Sequence, residues 1–184
     1  KGSPAALLMA LTLAILRTLV DEGLGPAALA QRLNVQVARH APGSRFVTMF
    51  LAVFDPMTGA LHYVNAGQNP PILRRVSGAL ERLTSGGVAL GMFELSAYTA
   101  GDTWLAPGDV LVLYSDGITE AENKQGVFFD ESGLEEVINR HWWEDAATLG
   151  KAIVTSVEGH ATDTRLADDL TVLAIRRPMP IPTV

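Results

Sequence analysis

The sequence predicts an α+β fold in which antiparallel sheet is covered by helices. Three observations predict it. Apolar runs of strand length follow one another between residues 45 and 115, punctuated by Gly, Pro or Asp. Segments with apolar residues at helical spacing precede that block and fill the interval before one last strand-like run. Strands grouped in this way favour antiparallel pairing over alternating βαβ units. In 184 residues, 48% hydrophobic and 18% charged, there is enough apolar material for one domain with a substantial core.

The elements follow in order. Ser3 before Pro4 reads as an N-cap with proline at the first helical position, and Gly23 as a stop, so residues 4 to 22 form a helix whose wide apolar face predicts deep packing. Pro26 opens a second helix, PAALAQRLNVQVARHA, with Leu29, Leu33 and Val37 on one face; the two make a helical hairpin. The runs RFVTMFLAVFD and ALHYVNAG flank the turn-rich Asp55-Pro56-Met57-Thr58-Gly59 and predict a β-hairpin. Further strands are expected at 71 to 76, 80 to 84, 98 to 105, 109 to 115 and 169 to 176. Between the last two lie helices in DESGLEEVINRHW and DAATLGKAIVTSVEGHA, the first with an acidic opening turn that suits the helix dipole. The tail from 178 to 184, rich in proline, leaves the domain as an extended segment.

Composition excludes several chemistries. A net charge of −6 argues against nucleic acid, which needs clustered Lys and Arg. The absence of cysteine removes disulfides, cysteine zinc sites and cysteine nucleophiles, and is compatible with a reducing, cytoplasmic location. His40, His62, His141 and His160 show no two- to four-residue ligand spacing and read as surface or core-edge residues; Trp104, Trp142 and Trp143 read as packing. The opening KGSPAALLMALTLAILRTLV has the profile of a secretory signal. Arg17 interrupts it short of the ~20 residues a spanning helix needs, and no cleavage site follows, so no membrane segment is expected.

The chemistry concentrates in acids at strand ends. Asp116-Gly117 terminates the run Val110 to Tyr114, and Asp168-Asp169 heads DDLTVLAI. Two acids at opposite-running strand ends meet if the strands are neighbours, and carboxylates gathered in this way suit a hard cation such as Mg²⁺ or Mn²⁺. Asp-Gly and Asp-Asp are also ordinary turn and strand-cap residues.

From Lys1 to about Arg177 the chain resembles the PPM family of metal-dependent protein serine/threonine phosphatases, in its bacterial SpoIIE/RsbU-type branch. KGSPAALLMA resembles the end of the branch's Asp-Val-Ser-Gly-Lys-Gly motif; RFVTMFLAVFDPMTGALHYVNAGQNPPIL resembles its central hairpin and Asn-Ala-Gly-His-Asn-Pro-Pro signature. GDVLVLYSDGITEA and ADDLTVLAIRR resemble its two later metal-carboxylate motifs. The resemblance implies a phosphatase domain over 1–177, an αββα sandwich of two antiparallel sheets flanked by helices, and a dinuclear Mn²⁺ or Mg²⁺ site. It makes Asp116 and Asp168 the catalytic metal ligands. Asp169 is the weaker match, with local hydrogen bonding as its alternative role, while Gly117 lets the backbone approach the ions. Thr119 and Glu120 are expected to start the following helix. The implied substrate is a phosphorylated STAS-domain anti-anti-sigma protein, and an upstream sensor domain is implied in the parent protein.

Two departures matter. The motif's Asp, whose carboxylate bridges both ions in the family, precedes the Lys-Gly with which this chain opens. The chain therefore reads as N-terminally truncated, lacking its first strands, with an open sheet edge prone to homodimer-like self-association. Gln68 stands where the branch has His and Ala89 where it has Pro; Gln68 hydrogen-bonds but does not titrate near neutral pH. A rival of another class is an inactive pseudophosphatase that serves as a protein-binding signalling scaffold. The missing residues favour the rival for this chain; Asp116 and Asp168 favour the enzyme for its parent.

Overall fold

The computed structural model describes residues 3–41, 45–162 and 168–179. They fall into two compact units, 1–68 with 84–104 and 69–83 with 105–184. Each unit is a four-stranded sheet with helices, the α+β class expected from the sequence.

In the first unit, α1 (Ser3–Val20) and α2 (Pro26–His40) form the expected helical hairpin. Gly23 stops α1: at φ +67° it is left-handed, and its N–H donates to the Val20 carbonyl at 3.1 Å. Leu8, Ala30, Leu33 and Val37 pack with Val64, Ala66, Leu90 and Tyr98 in one core. The deep packing expected of α1 is not found. Leu7 and Met9 are 67% and 61% exposed, because a helix apolar all round presents only one stripe to its neighbours.

The hairpin of β1 (Met49–Phe54) and β2 (Ala60–Ala66) runs in register from Met49↔Ala66 to Phe54↔Leu61. Its turn is built by Asp55, whose Oδ1 accepts from the Met57 N–H and whose Oδ2 accepts from the Thr58 hydroxyl. The sequence did not anticipate a short parallel partner to β2, which forms the fifth strand in chain order. This β5 (Gly86–Gly87) reads as loop, yet glycine is required there: a Cβ on Gly86 would lie 1.8 Å from the Asn65 carbonyl oxygen. β6 (Gly101–Trp104) pairs antiparallel with β2 and is shorter than expected.

One buried polar side chain organises the loop before β6. Asn34, fully buried on α2, donates from Nδ2 to the carbonyls of Phe93 and Glu94, and its Oδ1 accepts from the Gly91 N–H and the Tyr98 hydroxyl. All of its amide capacity is used, so burial carries no unsatisfied group. The Asn65-to-Gln68 turn is closed in the same way. Asn65 Nδ2 donates to the Gln68 carbonyl and Oδ1 accepts from the Gln68 N–H, with Gly67 at φ +75° packed against Ala89.

The second unit orders its sheet β4-β3-β7-β8, from β3 (Ile72–Arg74), β4 (Leu80–Arg82), β7 (Val110–Tyr114) and β8 (Val172–Arg176). α4 (Asp130–His141) and α5 (Ala146–His160) bury Leu134, Val137, Ile138, Leu149, Ile153 and Val157 against Ile72, Val110, Val112 and Tyr114, as their spacing predicted. Asp145 caps α5 by accepting from the Thr148 N–H and hydroxyl, and these bonds hold its carboxyl below the usual range. Of the three tryptophans assigned to packing, Trp142 takes the Arg74 guanidinium over its ring at 4.1 Å. Trp104 and Trp143 are instead 61% and 57% exposed.

Candidate metal centre

β7 and β8 are antiparallel neighbours, in register from Val110↔Arg176 to Tyr114↔Val172. The exit of β7 and the entry of β8 therefore share one end of the sheet. Asp116 follows the first and Asp168-Asp169 precede the second, so the condition set by the sequence is met. All three acids are exposed there.

Local bonds fix this end. The Ser115 N–H donates to the Thr171 carbonyl at 3.0 Å, one step past the last ladder pair. The Ser115 hydroxyl donates to the Asp169 carbonyl at 3.1 Å and accepts from the Thr171 N–H at 3.0 Å. The first bond continues the ladder by one step, but the Thr171 N–H goes to the Ser115 hydroxyl instead of the Ser115 carbonyl, and β8 begins at Val172 rather than 169. Gly117 is buried against the same segment: a Cβ would lie 2.5 Å from the Asp169 carbonyl oxygen. Each predicted carboxylate ligand is oriented by the amide after it, Asp116 Oδ1 by the Gly117 N–H and Asp168 Oδ1 by the Asp169 N–H, both at 2.9 Å.

Thr119 and Glu120 are not where the sequence placed them. Asp116 itself opens the short α3 (Asp116–Thr119), and Glu120 is its C-cap. The Thr119 hydroxyl donates back to the Asp116 carbonyl, so it closes a turn instead of starting the next helix. Gln68 lies in the other compact unit. Among the described residues no group of three or more His, Asp or Glu side chains is gathered for a metal ion. Three histidines are hydrogen-bonded elsewhere, His40 to the Gln36 carbonyl, His62 to Asp102 and His160 to the Val127 carbonyl, while His141 lies 3.3 Å from Glu144 without a hydrogen bond at Nδ1.

The donor set nevertheless fits a hard cation. It consists of exposed carboxylates on a sheet end held tight by Ser115 and Gly117. Mg²⁺ is commonly bound by one or two carboxylates that leave room for water and substrate phosphate. Asp116, with Asp168 or Asp169, would hold it.

Behind the site lies a network that spacing did not reveal. Tyr114, buried at the end of β7, donates to Glu131 Oε1 at 3.1 Å, and Glu131 in turn pairs with Arg82 of β4 at 2.9 Å. Burial and the Glu131 charge push the Tyr114 hydroxyl up to about 12 from an ordinary 10.0. The raised value means that the folded state keeps its proton while the unfolded state loses it. This stability is complete below pH 10 and is lost as pH rises through about 12. Alkaline melting curves of the wild type should therefore fall more steeply over that window than those of Tyr114→Phe; parallel curves would refute the assignment.

Comparison with known proteins places this geometry. Phosphoserine phosphatase RsbU of Bacillus subtilis is 31% identical over 178 residues, 96% of this chain and 52% of its own length, so the chain spans about half of that relative. The RsbU and RsbW domains of Rv1364c from Mycobacterium tuberculosis superpose with a TM-score of 0.77 at 22% identity, over 99% of this chain and 51% of that one. The SiaA-PP2C domain of Pseudomonas aeruginosa superposes with a TM-score of 0.80 at 20% identity, over 95% of this chain and 70% of that one. These likenesses establish a PP2C-like fold. Among the described residues no helix is long and apolar enough to cross a membrane. Residues 1–178 match the family described as Stage II sporulation protein E (SpoIIE), and the chain belongs to that family.

Proposed function

We propose that residues 1–177 are part of a protein serine/threonine phosphatase domain that, in the extended parent protein, works with Mn²⁺ or Mg²⁺ in bacterial cytoplasmic signalling. One observation carries the reading: the antiparallel pairing of β7 with β8, which brings Asp116 and Asp168-Asp169 to one sheet end. The 31% identity to a phosphoserine phosphatase supports the substrate class.

Asp116 and Asp168 would hold the cations, with Asp169 beside them. When bound, such ions neutralise phosphate charge and lower the pKa of the attacking water. The chain's own part is to hold the carboxylates in place at one end of the sheet. Gly117 leaves no side chain between Asp116 and the facing backbone, and the following amide fixes each ligand carboxylate. Positioning of this kind supplies much of the catalysis in phosphoryl transfer.

The proposed substrate is a phosphoserine STAS-domain anti-anti-sigma protein. A net charge of −6 offers no broad basic surface for seizing phosphopeptides, so selectivity comes from docking a folded partner. For the extended parent protein, the intact phosphoprotein should exceed its excised phosphopeptide in kcat/KM by about a hundredfold, roughly 2.7 kcal/mol of transition-state stabilisation. Mn²⁺-dependent release of labelled phosphate from the two forms is the test. Equal specificity constants would remove the docking claim, and metal-independent release would remove the mechanism.

A further inference from the structure

Ladder bonds between β7 and β8 end at the Tyr114↔Val172 pair, yet the acids lie beyond it on both chains. Strand ends fray, and a carboxylate pair separated by a fraying end would have no fixed spacing. Ser115 supplies what the ladder lacks. Its amide bonds the Thr171 carbonyl, and its hydroxyl spends its one hydrogen on the Asp169 carbonyl while a lone pair accepts the Thr171 N–H. The Asp169 carbonyl oxygen is then gripped from two sides, since Gly117 packs against it closely enough that a Cβ would stand 2.5 Å away.

The residues gripping that carbonyl are the two that flank Asp116 in sequence. Asp168, whose carboxylate accepts from the Asp169 N–H, lies one peptide unit before that carbonyl. The Ser115 hydroxyl thus ties the backbone next to Asp116 to the backbone next to Asp168.

We propose that Ser115 is a positioning residue for the divalent cation: its hydroxyl clamps the backbone of Asp169 and Thr171 and so sets the two metal-binding acids at a fixed separation. This rests on the metal reading of Asp116 and Asp168. Groups that orient ligands without touching the ion are typically worth about 10- to 100-fold in metal affinity. A hydroxyl is required, because only a group that both donates and accepts makes both bonds. Threonine meets the requirement, and the extended backbone of Ser115, φ −87° and ψ 161°, accommodates a β-branched side chain.

The experiment compares wild type, Ser115→Ala and Ser115→Thr by calorimetric titration with Mn²⁺ alone and by amide hydrogen exchange of the metal-free chains. Ser115→Ala should weaken Mn²⁺ binding 10- to 100-fold, speed exchange of the Thr171 amide and leave the far-UV spectrum unchanged. Ser115→Thr should restore both readouts. Wild-type affinity and Thr171 protection in Ser115→Ala would overturn the positioning role while leaving the metal site standing. A loss that Thr does not restore, accompanied by a general fall in protection across β7 and β8, would reduce Ser115 to an ordinary structural residue. A wild type that binds no Mn²⁺ would overturn the metal reading itself and the positioning role with it.

Discussion

In the extended parent protein, Asp116→Asn should reduce Mn²⁺-dependent hydrolysis of para-nitrophenyl phosphate by three orders of magnitude or more, about 4 kcal/mol at the transition state, and leave the thermal midpoint nearly unchanged. The two halves of that expectation have separate causes. Asparagine keeps the shape of aspartate and an oxygen able to accept the Gly117 N–H, which is the bond the carboxylate makes now. The side chain is exposed, so no buried group is left without a partner, and exposed substitutions usually stay within about 0.5 kcal/mol. What is lost is the negative charge, and a hard cation depends on ligand charge. Near-normal turnover with unchanged Mn²⁺ affinity would mean that Asp116 is only a turn residue.

Gly117→Ala should be costly in both stability and metal binding, although it adds a single methyl group. That methyl carbon would sit 2.5 Å from the Asp169 carbonyl oxygen and 3.2 Å from its carbon, and both are backbone atoms that no side-chain rotation can clear. The segment bearing Asp168 and Asp169 must move, or the turn after β7 must. Overpacking of this kind typically costs about 1–3 kcal/mol, which for a chain of this size lowers the thermal midpoint by roughly 2–12 °C. Because displacement falls on the acids, Mn²⁺ affinity should fall with it. Thermal melts and calorimetry together check this, and an Ala variant with wild-type values in both would show that the close approach is tolerated.

Much of the fold was legible because local chemistry and global packing agree. The Asp55-to-Gly59 turn, the periodic faces of α4 and α5, and the stop at Gly23 each rest on residues within one short window. The site was legible only in part. The strand-end acids stood out, and the family resemblance joined Asp116 with Asp168 at one metal site, yet nothing in spacing shows that Ser115 and Thr171, 56 residues apart, are bonded neighbours. Ser115 itself lay inside the quoted Ser-Asp-Gly without a role, since a serine before a turn has many uses. Asn34 was hidden for a different reason. Next to Leu33 on a helix otherwise read for apolar periodicity, it counts as a polar interruption, and its value appears only when the loop from Gly91 to Tyr98 folds over it. The exposed face of α1 and the exposed Trp104 and Trp143 show the limit of inferring burial from residue type, because hydrophobicity says what can be buried and the neighbouring layers decide what is.

The central claim is that Asp116 and Asp168 act on the same cation, and a double-mutant cycle in Mn²⁺ affinity tests it most directly. Asp116→Asn, Asp168→Asn and the double variant are titrated with Mn²⁺ beside the wild type under one buffer condition. Ligands of a shared ion are strongly non-additive, so each single change should remove nearly all measurable binding and the double change should add little more. Independent losses that sum in the double variant, or a single variant that binds as the wild type does, would contradict a metal centre at the β7–β8 end.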